Sequence, residues 1–341
     1  MGCSCTSNCG KSTEDVSELT KNNSDISQIN EILITNPKIL NSIIKLQSQY
    51  RGMKARQKIL PKLNETNNNS NTENMNYNHN ISEDDLFSLL NKYPPLNDNV
   101  DLQIITGKEF KKNKTVYSGE WDYSRQMRHG RGIQVWPEGS KYLGYWVNDK
   151  ANIKGKLIHS DGNIYEGEWL DDKPNGKGKF IHKDGTIYEG EWKNDKQDGK
   201  GKEIWVDGSW YEGEYKNGKK HGKGKFYWSD GAYYEGDFEE NNISGEGKYF
   251  FNDQRKYEGQ WVNNKIEGYG VFTWPDGRIY KGNYKKDKKD GYGEFYWGDG
   301  KIYKGNWKNG KQNGEGEFYF PSDNIWKKGI WEKGKRINWL E

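Results

Sequence analysis

Residues 211–231 read YEGEYKNGKKHGKGKFYWSDG, and this pattern predicts the fold of most of the 341-residue chain. Residue types alternate with a period of two, which is typical of β-strands rather than of helices. In YEGEY the tyrosines and the glycine share one face, and in GKGKFYW the glycines, Phe226 and Trp228 alternate with lysines. Asp230-Gly231 suits a tight turn, because glycine adopts a positive φ without steric cost. The segment predicts a β-hairpin with a face of rings and glycines and a charged face, where opposed glutamate and lysine can pair.

The same pattern recurs along the chain. The string Y-x-G-x-aromatic occurs nine times, with one interval of 25 residues followed by seven of 23, and starts at Tyr117, Tyr142, Tyr165, Tyr188, Tyr211, Tyr234, Tyr257, Tyr280 and Tyr303. A tenth, degraded copy starts at Trp326. Ile153 replaces the first glycine of one G-x-G pair, and Asp253-Gln254 replaces one Asp-Gly pair. Equal spacing of this kind marks a repeat protein whose units stack side by side.

The composition fits such an array. The chain has 15 Trp and 23 Tyr but is only 31% hydrophobic, and its net charge is +3. All the tryptophans lie from Trp121 onward, and 39 of the 42 glycines lie from Gly107 onward. Few aliphatic residues exclude a large aliphatic-cored enzyme domain, and the many aromatic residues exclude a disordered chain in this region. No run approaches the roughly 18 apolar residues of a transmembrane helix.

Glycine beside a large ring lets the ring lie flat over the backbone and covers a weak strand position. A core of Tyr, Trp, Phe and Gly can therefore take the place of the usual core of Leu, Ile and Val. One hairpin is marginal in water, but neighbours in a row share their faces. We predict an all-β body, an elongated single-layer antiparallel β-meander of about ten 23-residue hairpins, preceded by a partly disordered segment with short α-helices.

These residues resemble the membrane occupation and recognition nexus (MORN) repeat, as in YEGEW, GKGK and DG of residues 188–208. The resemblance implies an extended meander with an aromatic groove that binds a protein segment, and repeats that act mainly as protein-binding or scaffolding modules. Lipid-headgroup binding is a second expectation of the family. The predicted groove residues are Tyr165, Trp169, Tyr188, Trp192, Tyr211, Tyr215, Phe226, Trp228, Tyr234, Phe238, Tyr257, Trp261, Trp274, Tyr280, Tyr284, Trp297, Tyr303 and Trp307.

A basic segment precedes the repeats. Residues 32–64 contain no acidic residue and seven lysines or arginines, with an apolar side at helical spacing. Part of this segment resembles the IQ motif, which implies binding of calmodulin or a related EF-hand protein through Leu46, Gln47, Arg51, Gly52 and Arg56. A basic amphipathic helix offers apolar anchors and cations to such a partner. Two alternatives are that it lies on an anionic membrane or docks into the chain's own groove.

The chain begins MGCSCT, which fits N-myristoylation at Gly2 with Cys3 and Cys5 beside it for a second acyl chain. Two acyl chains make a stable membrane anchor, whereas one is marginal. The alternative is an unmodified tail. A metal site from the nearby cysteines is disfavoured, because no histidine or fourth ligand is close.

Between these parts, residues 64–80 contain nine Asn and predict a disordered linker. Ser82 to Tyr93 predicts a short helix, which either packs on the first hairpin or serves as a docking motif. The expected domains are an acylatable disordered tail (1–30), a basic IQ-like helix (31–63), the linker (64–80), the short helix and a connector (81–106) and the repeat ribbon (107–341).

The Cys, His, Asp and Glu residues do not form the pattern expected of a catalytic site. The repeat body has no Cys, its His residues do not cluster, and its Asp and Glu recur at repeat offsets as a solvated face. The G-x-G pairs lie in hairpins and not between a strand and a helix, so they do not predict a phosphate loop. We expect no enzyme activity, cofactor or metal, and no nucleic-acid binding, because the body has no basic stripe.

The sequence thus predicts a scaffold or adaptor, cytoplasmic and peripheral on the inner face of a membrane. Regulation by calmodulin and self-association are further expectations. The alternatives are a phosphoinositide-binding or other headgroup-binding peripheral protein, and a structural component of a cilium or of the cortical cytoskeleton.

Overall fold

The computed structural model describes Leu86 and residues 90–340, all of which lie in one compact unit that covers residues 74–341. These residues form one sheet of 21 strands. The strands are β1 Leu102–Glu109, β2 Val116–Asp122, β3 Met127–Val135, β4 Lys141–Val147, β5 Lys150–Ile158, β6 Ile164–Leu170, β7 Lys173–Ile181, β8 Ile187–Lys193, β9 Lys196–Ile204, β10 Trp210–Lys216, β11 Lys219–Tyr227, β12 Tyr233–Glu239, β13 Asn242–Phe250, β14 Lys256–Val262, β15 Lys265–Thr273, β16 Ile279–Lys285, β17 Lys288–Tyr296, β18 Ile302–Lys308, β19 Lys311–Phe320, β20 Ile325–Glu332 and β21 Lys335–Trp339.

Each strand pairs antiparallel with the next strand along the chain, from β1 to β21. The predicted single-layer β-meander is therefore confirmed. The sheet begins at Leu102, earlier than the expected ribbon boundary at residue 107, because β1 pairs with β2. The degraded tenth copy forms the terminal hairpin of β20 and β21. The expected tail, basic helix and linker lie outside the described residues.

The core unit of each repeat is a tyrosine ring lying over two paired glycines. In β10 and β11 Gly213 is the register partner of Gly224, and the Tyr211 ring covers both. The same ring is edge-on to Phe238 of the next repeat, with centroids 5.0 Å apart. Nine equivalent tyrosines each donate a hydrogen bond of 2.7 to 3.0 Å to the carbonyl oxygen three residues on. The predicted core of rings and glycines is the observed one.

Two kinds of turn connect the strands. Between β10 and β11, Asn217 (φ 52°) and Gly218 (φ 82°) both have positive φ, as a type I′ hairpin turn requires. The pairing then shifts register after Gly213, where Gly222 (φ 62°) supplies the extra residue of a bulge. Between β11 and β12, the Gly231 amide donates to Trp228 O at 3.0 Å. Most of the polar stretch after each Y-x-G-x-aromatic string is therefore strand rather than loop.

The two departures from the repeat keep its backbone. Ile153 has φ 62° at the bulge position, an uncommon conformation for a β-branched residue. Gln254 has φ 73°, and its amide donates to Phe251 O at 3.0 Å, as the glycines do in other copies. The neighbouring repeats therefore impose the turn and the bulge on residues that do not favour them.

The face opposite the tyrosines, the outer face, is the predicted charged face. Its cross-strand pairs include Lys202 with Glu212 at 3.0 Å and Lys248 with Glu258 at 2.8 Å. The outer face also carries a ladder of stacked rings that the alternation of charges did not predict. Trp210, Tyr227, Tyr233 and Phe250 stack in order with centroids 5.4, 5.2 and 4.2 Å apart.

A segment before β1 covers the outer face of the first repeats. Leu86 and Leu90 are helical and buried against Ile133, with Val135 and Leu143 beside them. The Arg131 guanidinium donates to the carbonyl oxygens of Leu90 (3.1 Å) and Tyr93 (3.0 Å). The described part of the predicted 82–93 helix thus packs on the first hairpins, and it does so on the outer face, away from the tyrosine rings.

Candidate functional site

The face that carries the repeat tyrosines, here called the ring face, holds all the predicted groove residues. Seven of them form its floor with 0 to 1% of their surface exposed: Tyr165, Tyr188, Tyr211, Tyr234, Tyr257, Tyr280 and Tyr303. Each is covered by rings of its own and the next repeat, as Tyr211 is by Tyr215 and Phe238. These seven rings are core and cannot touch a partner in this conformation, which corrects their place in the predicted groove.

The second aromatic residue of each string forms the next layer. Its exposed fraction is between 4 and 7% for Trp169, Tyr215, Phe238, Trp261, Tyr284 and Trp307, while Trp192 is half-buried. Three of the indoles donate to the carbonyl oxygen of a paired glycine, as Trp169 does to Gly155 at 3.0 Å. This hydrogen bonding and burial make the second layer mainly structural as well.

The accessible rings come from the second strands and from the turns that follow them. Phe226 and Trp228 are half-buried, as are Trp274 and Trp297. Five further rings at the same repeat offsets are half-buried but are not among the predicted groove residues: Phe180, Trp205, Tyr249, Phe251 and Phe318. The sequence could have identified these five rings, because each lies one or more 23-residue intervals from Phe226 or Trp228.

All of these rings except Phe180, together with Phe320, Trp339 and the buried Phe272 and Phe295, touch one another in an unbroken line, here called the ring row. Its members, in order of contact, are Trp205, Phe226, Trp228, Tyr249, Phe251, Phe272, Trp274, Phe295, Trp297, Phe318, Phe320 and Trp339. Successive centroids are 4.4 to 5.7 Å apart. The ring row runs across the strands from the fourth repeat to the last hairpin.

At its N-terminal end the ring face opens into a cavity of about 390 Å³. The residues that line it include Trp136, Trp146, Leu157, His159 and Trp169. Arg128 lies over the Trp146 ring at 4.0 Å and pairs with Asp149 at 2.8 Å. This cavity therefore combines aromatic walls with polar side chains, among them Glu138 and Asp172, and one neutralised cation.

Two more cations occupy the repeat position of Arg128 on the ring face. Lys220 pairs with Glu203 at 2.9 Å. Among the described residues Lys289 has no ion pair, and its ammonium group lies between rings, 4.2 Å from the Phe295 centroid. Burial lowers the pKa of Lys289 to about 8, and the nearby Arg278 contributes to the decrease. At this repeat position the described part of the ring face thus carries two cations with an ion pair, Arg128 and Lys220, and one without, Lys289.

The described residues contain no group of three or more His, Cys, Asp or Glu that could hold a metal ion. His182 packs on Phe180 with centroids 4.5 Å apart, so it takes the place of a ring in the array. Nor do the described residues form a helix long and apolar enough to cross a bilayer. The predicted acylation residues Gly2, Cys3 and Cys5 and the predicted calmodulin-binding residues Leu46, Gln47, Arg51, Gly52 and Arg56 lie outside the described part of the chain.

Two family models match the chain. A model described as the MORN repeat matches nine segments, residues 117–141, 142–164, 165–187, 188–210, 211–233, 234–254, 257–277, 280–302 and 303–325. A model described as the IQ calmodulin-binding motif matches residues 40–60, which include all five predicted calmodulin-binding positions. Both resemblances inferred from the sequence are confirmed. No curated protein sequence matches the chain.

Several solved structures are similar in part. The TCP10 domain of Danio rerio CPAP in complex with a peptide of STIL is 12% identical with a TM-score of 0.38, over 62% of this chain and 94% of that one. The TCP domain of Drosophila melanogaster SAS-4 in complex with a proline-rich motif of Ana2 is 11% identical with a TM-score of 0.30, over 57% and 96%. A virginiamycin B lyase from Staphylococcus aureus is 15% identical with a TM-score of 0.14, over 70% and 73%. At these scores the similarities carry no argument about function.

Proposed function

Because the chain belongs to the MORN-repeat family, we propose that it is a non-enzymatic scaffold whose ring row binds an extended segment of a partner protein. The observation that supports this most directly is the unbroken line of rings from Trp205 to Trp339, of which all but Phe272 and Phe295 are half-buried. MORN repeats and IQ motifs are binding modules in general, so the family is consistent with a scaffold.

The shape of the ring row favours an extended protein segment over a small ligand. Small molecules bind in enclosed pockets that bury most of their surface, whereas the ring row is long and open. Half-buried aromatic side chains lose little conformational entropy on binding and contribute much of the energy of protein interfaces. A partner that follows the row would contact rings of several repeats in turn.

The second candidate, headgroup binding by the repeats themselves, finds less support. Lysines of the outer face are paired with acidic side chains, as Lys225 is with Glu235 at 3.0 Å and Lys223 with Asp237 at 2.6 Å. Several of the outer-face lysines are neutralised in this way, which reduces the positive charge that this face offers to an anionic membrane. Flotation of the described unit with phosphoinositide vesicles would reveal headgroup binding if it occurs.

The residues before the unit would place and regulate the scaffold. The IQ match at residues 40–60 supports calmodulin-type binding. We propose that acyl groups on Gly2 and on Cys3 or Cys5 hold the chain at the cytoplasmic face of a membrane, since two acyl chains give a stable anchor. A Gly2→Ala variant that stays on a ciliary or cortical structure would show that something other than acylation places it there.

The experiment that tests the scaffold is affinity capture with the full chain, with and without calcium. The test variant changes Trp228, Trp274 and Trp297 to alanine on the ring row. The matched control changes Tyr227, Tyr233 and Phe250 to alanine on the outer face. We expect the amount of captured partner to fall more than ~10-fold with the test variant and to stay the same with the control. The reason is that aromatic residues at an interface contribute about 2 kcal/mol or more to binding. Equal capture by both folded variants would contradict the proposal.

A further inference from the structure

The fourth and fifth repeats contain a polar cluster inside the ring face. Glu203 stands at the second-strand position that Phe226, Tyr249 and Phe272 occupy in later repeats. Its Oε2 atom accepts from Lys220 Nζ at 2.9 Å and from the Tyr215 hydroxyl at 3.2 Å. One carboxylate thus neutralises a cation and satisfies a buried hydroxyl among the rings.

The same lysine and tyrosine recur 69 residues, or three repeats, further on. Lys289 corresponds to Lys220 and Tyr284 to Tyr215, but Phe272 stands in the place of Glu203. Register confirms the correspondence, because Tyr284 pairs with Lys289 as Tyr215 pairs with Lys220. The second cluster therefore has the donors of the first without its carboxylate.

Neither donor of the second cluster has an acceptor among the residues that the structure describes. The Tyr284 hydroxyl is buried and has no hydrogen-bond partner among the described residues, whereas buried polar atoms are normally paired. The Lys289 ammonium lies 4.2 to 5.2 Å from the centroids of Trp274, Tyr280, Phe295 and Trp307, and it makes no ion pair among the described residues. The rings attract the ammonium group but do not neutralise its charge, so an anion that reaches it gains a charge-assisted hydrogen bond.

We propose that the Lys289 and Tyr284 site binds the carboxylate of an aspartate or glutamate in the segment that lies along the ring row. This inference rests on the proposed function and specifies the chemistry of its partner. The partner's carboxylate accepts from the half-buried Lys289 ammonium group, as Glu203 does from Lys220 three repeats earlier. Trp274 and Phe295 belong to the ring row and also flank Lys289, so the site lies where the row would place the partner.

A carboxylate fits this site better than a phosphate group. The internal template, Glu203, is a carboxylate, and one ammonium group with one hydroxyl matches its single charge. Phosphate groups are usually bound by clustered arginines or by runs of backbone amides. A phosphopeptide is therefore the alternative that the experiment has to separate from an acidic peptide.

Two variants have precedents within the chain and should fold. Isoleucine occupies the position of Lys289 in the two preceding repeats, as Ile243 and Ile266, so Lys289→Ile removes the cation from a site that accepts isoleucine. Phe272→Glu copies Glu203 and supplies Lys289 with an internal carboxylate. The first variant removes the cation and the second neutralises it.

The test selects peptides on the full chain from a phage-displayed library of random dodecapeptides, and measures their affinities by fluorescence anisotropy. We expect selected peptides to carry an Asp or Glu whose change to Asn or Gln weakens binding about 10-fold to the wild type. The same change should have little effect on binding to Lys289→Ile or Phe272→Glu. Equal weakening on all three proteins, selected peptides without an acidic residue, or at least 10-fold tighter binding of phosphoserine versions would overturn the proposal. If changing Trp228, Trp274 and Trp297 to alanine leaves the affinity of the selected peptides unchanged, the proposed function itself would be overturned.

Discussion

The hydroxyl of Tyr211 donates a hydrogen bond of 3.0 Å to the carbonyl oxygen of Glu214. This bond holds the ring flat over the pair of Gly213 and Gly224, so closely that a Cβ atom on Gly224 would lie 2.5 Å from the hydroxyl oxygen. Ring, hydroxyl and glycine pair therefore form one unit, in which each part requires the others. Its repetition explains how a sheet with few aliphatic residues has a core.

Gly224→Ala should unfold its repeat locally, with a loss of stability of more than about 3 kcal/mol, because overpacking and a displaced hydrogen bond add together. Gly231→Ala is the contrasting control, since Gly231 has a positive φ (94°), which Gly224 does not, and has no atom within 4 Å of its added Cβ. We expect the control to cost about 1 kcal/mol from backbone strain alone. Urea unfolding followed by tryptophan fluorescence measures both. Similar losses of stability in the two variants would show that the close approach of the Tyr211 ring is not the reason for glycine at position 224.

Ile153→Gly should stabilise the chain by about 1 kcal/mol, because it relieves a positive φ of 62° at a residue that is 41% exposed. Ile158→Gly is the control in the same strand, at similar exposure (39%) and without a positive φ. The control should lose stability, since glycine weakens a regular strand. A loss for both variants in urea unfolding would mean that the bulge at Ile153 carries no strain.

Asn264→Ala should weaken the contact between neighbouring repeats by about 1 to 2 kcal/mol. The Asn264 side chain accepts from the Ile243 amide at 2.7 Å, and the Asn264 amide donates to Ile243 O at 2.8 Å. Asp287 makes the same pair of bonds with Ile266 one repeat further on, so Asn264→Asp is the control that should retain stability. Hydrogen exchange at the Ile243 amide reports on the bond directly. Unchanged protection in the alanine variant would rule out this role.

Stability should fall as pH rises above 10. Burial raises the pKa of Tyr303 to about 12, and it raises the pKa of the other floor tyrosines as well. An unfolded tyrosine titrates near pH 10, so the folded state binds more protons between pH 10 and 12. This stabilisation is complete below pH 10 and is lost as pH rises through 12. Urea midpoints at pH 9, 10 and 11.5 measure the decline, and a Tyr303→Phe variant should show a smaller one. A midpoint that is constant over this range would contradict the burial of these hydroxyls.

Much of this structure is predictable from the residues alone. The alternation in YEGEY and GKGKFYW, the 23-residue interval and the Asp-Gly turns identify strands, hairpins and their order, and all are present. The length of the second strands was harder to predict. Gly222 and its equivalents continue the strand through a bulge, and a bulge depends on pairing with the strand before it. The start of the sheet at Leu102 depends in the same way on its pairing with β2.

The candidate site, too, is predictable from the sequence only in part. Aromatic residues on one face are evident from the period of two, because that period is a local property of the strand backbone. The pattern cannot show that Tyr211 is fully buried while Trp228 stays half-exposed, since that difference arises from the ring of Phe238 in the next repeat.

The sequence by itself therefore determined a repetitive antiparallel meander with a ring face, because turn chemistry and alternation act between residues close together in the chain. Tertiary structure decided which rings stay accessible, that Leu86 and Leu90 cover the outer face, and that Glu203 neutralises Lys220 while Lys289 has no such partner among the described residues. These outcomes depend on contacts between side chains that are a repeat or more apart, where packing and burial, rather than local preference, set the energy.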